Sequence, residues 1–181
     1  MSADRAATAN VLGAVALAVA GQIPVTMGAG GGRSDSSASA LSALYHFPGQ
    51  PTVDRLGQVL GLTHSGAVRL VDRLADAGLV ERAPGTDRRS RSVRLTAAGR
   101  RAARRVSDRR LAYLASLLAG LSPAETGTLH ELLGRVMGQV VQHKQGGAWI
   151  CRMCDLQACG RPRGHCPAAN AAAAKYGTIQ A

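Results

Sequence analysis

Apolar residues recur at helical spacing along most of the chain, with one short stretch of extended character. Leu12, Val15, Leu17 and Val19 give residues 3–20 a broad apolar surface rich in Ala and Val, the pattern of a buried helix. Ile23-Pro24 and the run Gly28 to Gly32 interrupt it. Ser34-Asp35-Ser36-Ser37 offers N-cap residues for a second helix that ends near Phe47-Pro48-Gly49. Thr52 caps a short third helix carrying Val53, Leu56, Val59 and Leu60, and Gly61 stops it. Thr63 caps a fourth helix running to Ala77, with Val68, Val71, Leu74 and Ala75 as its expected inner face and Gly78 as its stop. The period then shortens. Leu79 to Ala83 and Arg91 to Leu95 read as two strands around the turn Pro84-Gly85-Thr86-Asp87. Thr96 opens a long helix through about Leu118, ended by Gly120. Ser122 at N-cap, Pro123 at N1 and Glu125 at N3 start another, to about His143. Gly146-Gly147 breaks the pattern, and residues 167–174 suit a last short helix.

This order predicts a mainly α fold with a small β-hairpin wing: two short helices joined by Gly61-Leu62-Thr63, followed by a hairpin, make a winged helix-turn-helix. The expected organisation is an N-terminal helix and Gly-rich linker at 1–33, the winged unit at 34–96, C-terminal helices at 97–145, and a four-cysteine segment with its tail at 146–181. A helix that enters a major groove needs small and polar residues on its outer face. Thr63, His64, Ser65, Gly66, Ala67, Arg69 and Arg73 are the candidates. Thr63 and His64 lie where free backbone N–H groups favour a phosphate, and Arg69 is placed to reach base edges. At the hairpin, Arg88, Arg89 and Arg91 are placed for a minor groove or for phosphates, with Asp87 expected to hold one of them.

Charge supports a polyanionic partner. The 181 residues carry 22 Lys+Arg against 11 Asp+Glu, a net charge of +11. Residues 81–110 alone hold eleven Arg and three acids, a net of +8. Aromatic residues make up 3% of the chain, which argues against an RNA-binding sheet or a single-strand groove built on base stacking. There are no paired carboxylates, no nucleophile–base pair and no phosphate loop, so no enzyme is expected. Val11 to Ala20 is apolar, and Ala18-Val19-Ala20 has the form of a signal-peptidase site. Asp4 and Arg5 precede it, so the preceding segment is not clearly positive and a cytoplasmic protein without a membrane span is expected.

Several stretches are more specific than the element order: Leu60-Gly61-Leu62-Thr63-His64-Ser65, Val68-Arg69-Leu70-Val71-Asp72-Arg73-Leu74, Gly78-Leu79-Val80-Glu81-Arg82, Asp87-Arg88-Arg89, and Val93-Arg94-Leu95-Thr96-Ala97-Ala98-Gly99. On these, Leu41 to Arg105 resembles the MarR family of transcriptional regulators. The resemblance extends to the flanking helices at 3–20, 97–118 and 123–143, which match the family's dimerisation helices in order and length. It implies a homodimer reading a pseudo-palindromic double-stranded DNA operator, usually as a repressor. Helices this apolar outside a small winged core also call for a partner surface.

The cysteines stand apart from that resemblance. Cys151, Cys154, Cys159 and Cys166 follow the spacing C-x2-C-x4-C-x6-C within sixteen residues. In a cytosolic protein, so dense a cluster favours metal over structural disulfides. Gly160, Pro162 and Gly164 let the chain fold back, and Arg152, Arg161 and Arg163 would offset thiolate charge. Irregular spacing ending in Cys166-Pro167 suits a [4Fe–4S] cluster; Zn2+ and a metal-free thiol switch are the alternatives, and His165 is expected beside the site rather than in it. The leading expectation is a DNA-binding regulator controlled by a cluster that answers to redox or iron status. Its loss would change the spacing of the two reading helices. The alternative is a regulator sensing a small lipophilic or phenolic ligand, with structural zinc in the cysteine segment.

Overall fold

The computed structural model of the chain describes residues 2–26, 35–47, 49–84 and 91–177. It contains α1 (Ala3–Thr26), α2 (Asp35–His46), α3 (Val53–Leu60), α4 (His64–Asp76), β1 (Val80–Pro84), β2 (Arg91–Leu95), α5 (Ala97–Ser116), α6 (Pro123–His143), a 3-10 turn (Arg161–Arg163) and α7 (Pro167–Tyr176). The expected helical fold with a two-stranded antiparallel hairpin is what forms.

Hydroxyl caps set the starts of the helices. Thr52 Oγ1 accepts from the Arg55 amide at 3.2 Å, Thr63 Oγ1 from Gly66 at 3.2 Å, and Thr96 Oγ1 from Gly99 at 3.0 Å. Each such cap contributes about 1 kcal/mol. At α6 the cap is reciprocal. Ser122 Oγ accepts from the Glu125 amide, and Glu125 Oε2 accepts from the Ser122 amide at 2.8 Å. Glu125 Oε2 also accepts from the Ser122 hydroxyl at 2.7 Å, and the amide and hydroxyl of Ser122, both donating to this carboxylate, hold its pKa below the ordinary value. Gly61 ends α3 in the left-handed region at φ +67, where any side chain is strained, and lets the Leu62 amide return to the Gly57 carbonyl at 2.9 Å.

The winged core closes around Leu56, Leu70, Val71, Leu74 and Val93, with Ala40 and Leu41 of α2 and Ala103 of α5. The inner face of α4 is Ala67, Leu70, Val71 and Leu74. It is turned from the sequence expectation: Val68 and Ala75 are only partly buried, and Ala67 points inward. The reason is the close crossing of α3. A Cβ at Gly57 would lie 3.0 Å from the Cβ of Ala67, so two of the smallest residues meet where the helices come nearest.

In the hairpin, Val80 faces Leu95, Arg82 faces Val93 and Pro84 faces Arg91. The segment before α3 lies against it, through the Val93 amide and Pro51 carbonyl at 2.8 Å and a bridge between Thr52 and Ser92. Asp72 of α4 takes a hydrogen bond from Arg82 at 2.6 Å, which ties the wing to the reading helix. On the outer face, Glu81 pairs with Arg94 across the strands at 2.8 Å. The wing meets the start of α5 at the Gly78, Leu79 and Leu95 carbonyls, which accept from Thr96 and Arg100. Leu79 O accepts from the Thr96 amide at 3.1 Å, and a Cβ on Gly99 would sit 1.8 Å from that same oxygen.

The first helix departs from expectation. It continues past residue 20, through Pro24, to Thr26. Pro24 removes only one hydrogen bond, near the helix end, and this long Ala/Val helix tolerates that loss. It packs on α5 but is not the buried helix that its composition suggests: Val11, Leu12, Val15 and Leu17 are exposed. By length and composition alone, Ala3–Pro24 could cross a membrane, a test that signal sequences and core helices also pass. Apolar exposure continues on Leu111, Leu117, Leu118, Leu121, Leu132, Leu133, Val136 and Val140 of α5, α6 and their connection.

A second, smaller core joins the end of α6 to α7. Val141, Cys166 and Ala168 are buried there, with Met137 and Ile150 against them. Lys175 Nζ donates to the carbonyls of Val141, Gln142 and Lys144 at 3.1, 2.6 and 3.2 Å, satisfying the last turn of α6.

Gly99→Ala is expected to cost about 2 kcal/mol or more, because neither the Leu79 carbonyl nor the start of α5 can move away freely. Urea denaturation checks this, and an unchanged midpoint would contradict the wing–α5 junction described above.

Candidate nucleic-acid interface and cysteine segment

The outer face of α4 carries most of the expected reading residues. Thr63, His64, Ser65, Arg69 and Arg73 are exposed, and Gly66 is half-buried over the Thr63 hydroxyl. Ala67 is corrected: it is 1% exposed, packs against α3 and is not available to a groove. His64 Nδ1 meets Asp54 Oδ1 of α3 at 2.5 Å, with both side chains largely exposed, so its ring is steered at the helix start. Arg91 is exposed at the start of β2. Arg88, Arg89 and their expected partner Asp87 lie outside the described residues. The ion pair that supports the wing is Asp72 of α4 with Arg82 of β1. Among the described residues, this outer face carries the cations Arg69 and Arg73 among small and polar neighbours.

The cysteine segment lies directly against this unit. After α6 the chain returns to α3, where the Trp149 amide donates to the Val59 carbonyl at 2.8 Å. Ala148 then lies so close to Gly61 that a Cβ on the glycine would meet the Ala148 nitrogen at 2.5 Å. The Trp149 ring stands edge-on to Phe47, centroids 6.0 Å apart, with the Arg55 guanidinium 4.6 Å over it. Arg161 reaches back over Phe47 at 5.7 Å. Beyond Trp149 the chain folds in short turns. The Cys154 amide donates to Cys151 O at 2.9 Å. Asp155 Oδ1 accepts from the Gln157 and Ala158 amides at 2.8 and 3.1 Å, and Asn170 Nδ2 returns to Gly164 O at 2.7 Å.

This folding groups the thiols in two pairs. Cys151 and Cys154 share a side-chain hydrogen bond, as do Cys159 and Cys166, and the pairs sense each other's charge. The hydrogen bond from Cys151 holds Cys154 well below the ordinary thiol, at about 6, against the effect of burial and with help from Arg110, Arg161 and Arg152. Its partner Cys151 is pushed strongly up by the same hydrogen bond and by burial, and burial raises Cys159 as well. Among the described residues, no three His, Cys, Asp or Glu side chains converge to hold a single metal ion. Arg110 of α5, whose charge Cys154 feels, has a buried Nε with no hydrogen-bond partner among the described residues. A multiply anionic centre between the two pairs is the kind of neighbour that such a guanidinium lacks. Four thiolates bound to four different irons also need not converge on one point, as ligands of a single zinc must.

His46 is the residue that the sequence left unmarked. It ends α2, shares a 2.8 Å hydrogen bond between its Nε2 and Ser107 Oγ of α5, and places Nδ1 4.0 Å from Asp155 of the cysteine segment. Burial lowers its pKa, Asp155 opposes the shift and Arg110 adds to it. Trp149, His46, Asp155 and Arg110 together join the cysteine segment to the winged core. A single tryptophan two residues before a C-x2-C is the one sequence signal that pointed there.

Comparison with known proteins agrees with the winged segment. Residues 32–90 match the model of the MarR family. A MarR family protein from Bacillus stearothermophilus superimposes with a TM-score of 0.65 at 24% identity, over 77% of this chain and 99% of its own. The fold is that of the MarR winged-helix proteins. RV1404 from Mycobacterium tuberculosis has a TM-score of 0.60 at 25% identity, covering 80% of this chain and 98% of that one. YusO from Bacillus subtilis has a TM-score of 0.60 at 23% identity, over 75% and 97%. No curated protein sequence matches. These MarR-fold chains are covered almost end to end, and part of the present chain is left without a counterpart in them.

Two measurements follow from the site. With its folded pKa depressed, His46 stays neutral while the unfolded chain protonates. Its contribution to stability is therefore complete above about 6.5 and is lost as pH falls through the native value. Urea denaturation at about pH 7.5 and about pH 5.5 is expected to show a loss that shrinks in His46→Gln. In metal-free protein, iodoacetamide at neutral pH is expected to label Cys154 before Cys151, as read by peptide mass spectrometry. The reverse order contradicts the direction of the shared hydrogen bond.

Proposed function

We propose that the protein is a dimeric, sequence-specific transcriptional regulator of MarR type, a repressor, whose operator affinity is set by a centre built on Cys151, Cys154, Cys159 and Cys166. The observation that carries the DNA-binding part is the outer face of α4: exposed Thr63, His64, Ser65, Arg69 and Arg73 on a helix whose other face is locked in the core. The wing beside it adds Arg91, which the Arg88-Arg89 run precedes in the sequence. The exposed apolar side chains of α1, α5 and α6 support the homodimer, since so much exposed Leu and Val requires cover. Two reading helices related by a two-fold axis then meet a pseudo-palindromic operator. Such work places the protein in the cytoplasm, with the outer face of α1 against its partner subunit rather than in a membrane.

The reading of the centre is an iron–sulfur cluster, which when bound supplies a group sensitive to oxidants, nitric oxide and iron supply. What supports it is the set of four thiols in two pairs, the arginines around them and the unpartnered Arg110 Nε. Cys151, Cys154, Cys159 and Cys166 would hold it, and Arg110, Arg152 and Arg161 would balance its charge.

Protein purified without oxygen is expected to show a broad absorption band near about 400 nm, with iron and acid-labile sulfide. Cys151→Ala is expected to lose both. A colourless protein with one zinc per chain overturns the cluster reading and leaves the DNA-binding one standing. For the latter, Arg69→Ala is expected to lower discrimination about tenfold at one or two base pairs, while Arg91→Ala weakens all sequences alike. Selection of binding sites from a random duplex pool checks both.

A further inference from the structure

The cysteine segment lies between two bodies. On one side, Ile150, Cys151, Cys159 and Cys166 belong to the small core with Val141 at the end of α6. On the other, Ala148 and Trp149 are fastened to the helix-turn-helix itself. Three independent contacts hold that side: the Trp149 amide on Val59 O at 2.8 Å, Ala148 against Gly61, and the Trp149 ring between Phe47 and Arg55. Gly61 is the residue that turns α3 into α4. Its left-handed backbone and the Leu62–Gly57 hydrogen bond set where α4 begins. Only two residues separate Gly61 from His64, the first residue of the reading helix. The four thiols therefore sit a few residues along the chain from a strap that presses on the turn beneath the DNA-reading surface.

We propose that the segment regulates DNA reading directly, within each chain: the closed thiol loop seats Trp149 and Ala148 on the Gly61 turn and fixes the pitch of α4, and opening the loop releases that seat and weakens operator binding. This deepens the sensing role proposed above and rests on it, but its route differs from a change in spacing transmitted through the dimer helices. No new chemistry is required. Local unfolding of the loop between Cys151 and Cys166 removes the anchor of Trp149 on that side, and a turn held by fewer contacts samples more orientations of α4. A reading helix that must be ordered on binding binds less tightly.

The test is a double-mutant cycle on full-length dimer, with a duplex selected in vitro by the wild-type protein. Cys154→Ser opens the loop, and Trp149→Ala removes the strap. Arg55→Met weakens the strap from its exposed side without touching the core. Trp149→Phe is the conservative rescue. Cys154→Ser is expected to weaken operator binding about tenfold in the wild-type background, and less than about twofold in Trp149→Ala. Trp149→Phe is expected to restore most of the response, and Arg55→Met to reduce it. Amide exchange at Leu62 is expected to quicken in Cys154→Ser and in Trp149→Ala alike, while the Val93 amide, bonded to Pro51, stays protected and reports an intact fold. A tenfold effect of Cys154→Ser that persists in Trp149→Ala, with Leu62 exchange unchanged, overturns the strap and returns the signal to the dimer helices. If Cys154→Ser leaves operator affinity at the wild-type level, the sensing role fails and the strap fails with it. If the wild-type protein holds no metal but the cycle is non-additive, the strap stands and only the cluster reading falls.

Discussion

Everything in this fold is arranged around a helix that must be wholly buried on one side and wholly available on the other. In α4 the inner residues Ala67, Leu70, Val71 and Leu74 are all but inaccessible, and the outer residues stand clear of the protein. Burying the three larger side chains contributes about 1.5–3 kcal/mol each, which outweighs any single cap or ion pair on the surface. That burial brings α3 so near that only Gly57 and Ala67 fit at the crossing. The wing and α5 follow from it, since Val80, Val93, Leu95 and Ala103 complete the same core.

The polar interactions work by position more than by strength. Asp72 with Arg82 and Glu81 with Arg94 are exposed pairs, each worth about 1 kcal/mol or less. Their effect is to set the angle of the wing to α4. The charge cluster of residues 81–110 has few acids to neutralise it, so most of its field is left for a polyanion. Arg110 is the exception. Its charge is felt by Cys154, and its buried Nε has no hydrogen-bond partner among the described residues.

Much of this was legible in the sequence, and what escaped has a physical reason. Caps and stops place α3, α4, α5 and α6 well because Thr52, Thr63, Thr96 and Ser122 act locally, each through the amide three residues on. The face of α4 was misjudged by one position. A helical period fixes a stripe but not which edge meets a glycine on the neighbouring helix, and Ala67 suits either side. The composition of the first helix suggests burial because Ala and Val alone do not distinguish a core helix from one whose apolar side chains are exposed in the single chain. The cysteine spacing was visible, and its seat was not: His46, Gly61, Trp149 and Asp155 are brought together by tertiary folding over more than a hundred residues, which no local pattern records.

The contacts of Ala148 and Trp149 with the Gly61 turn are made inside one chain. A two-fold dimer therefore carries two complete modules, each beside its own reading head. On the pseudo-palindromic operator proposed above, both heads would be needed at once, so the loss of either module would disable the pair. If damage strikes modules independently, the fraction of intact dimers falls as the square of the fraction of intact modules. An arrangement in cis thus makes release steeper than the injury that causes it, with no cooperative change between subunits.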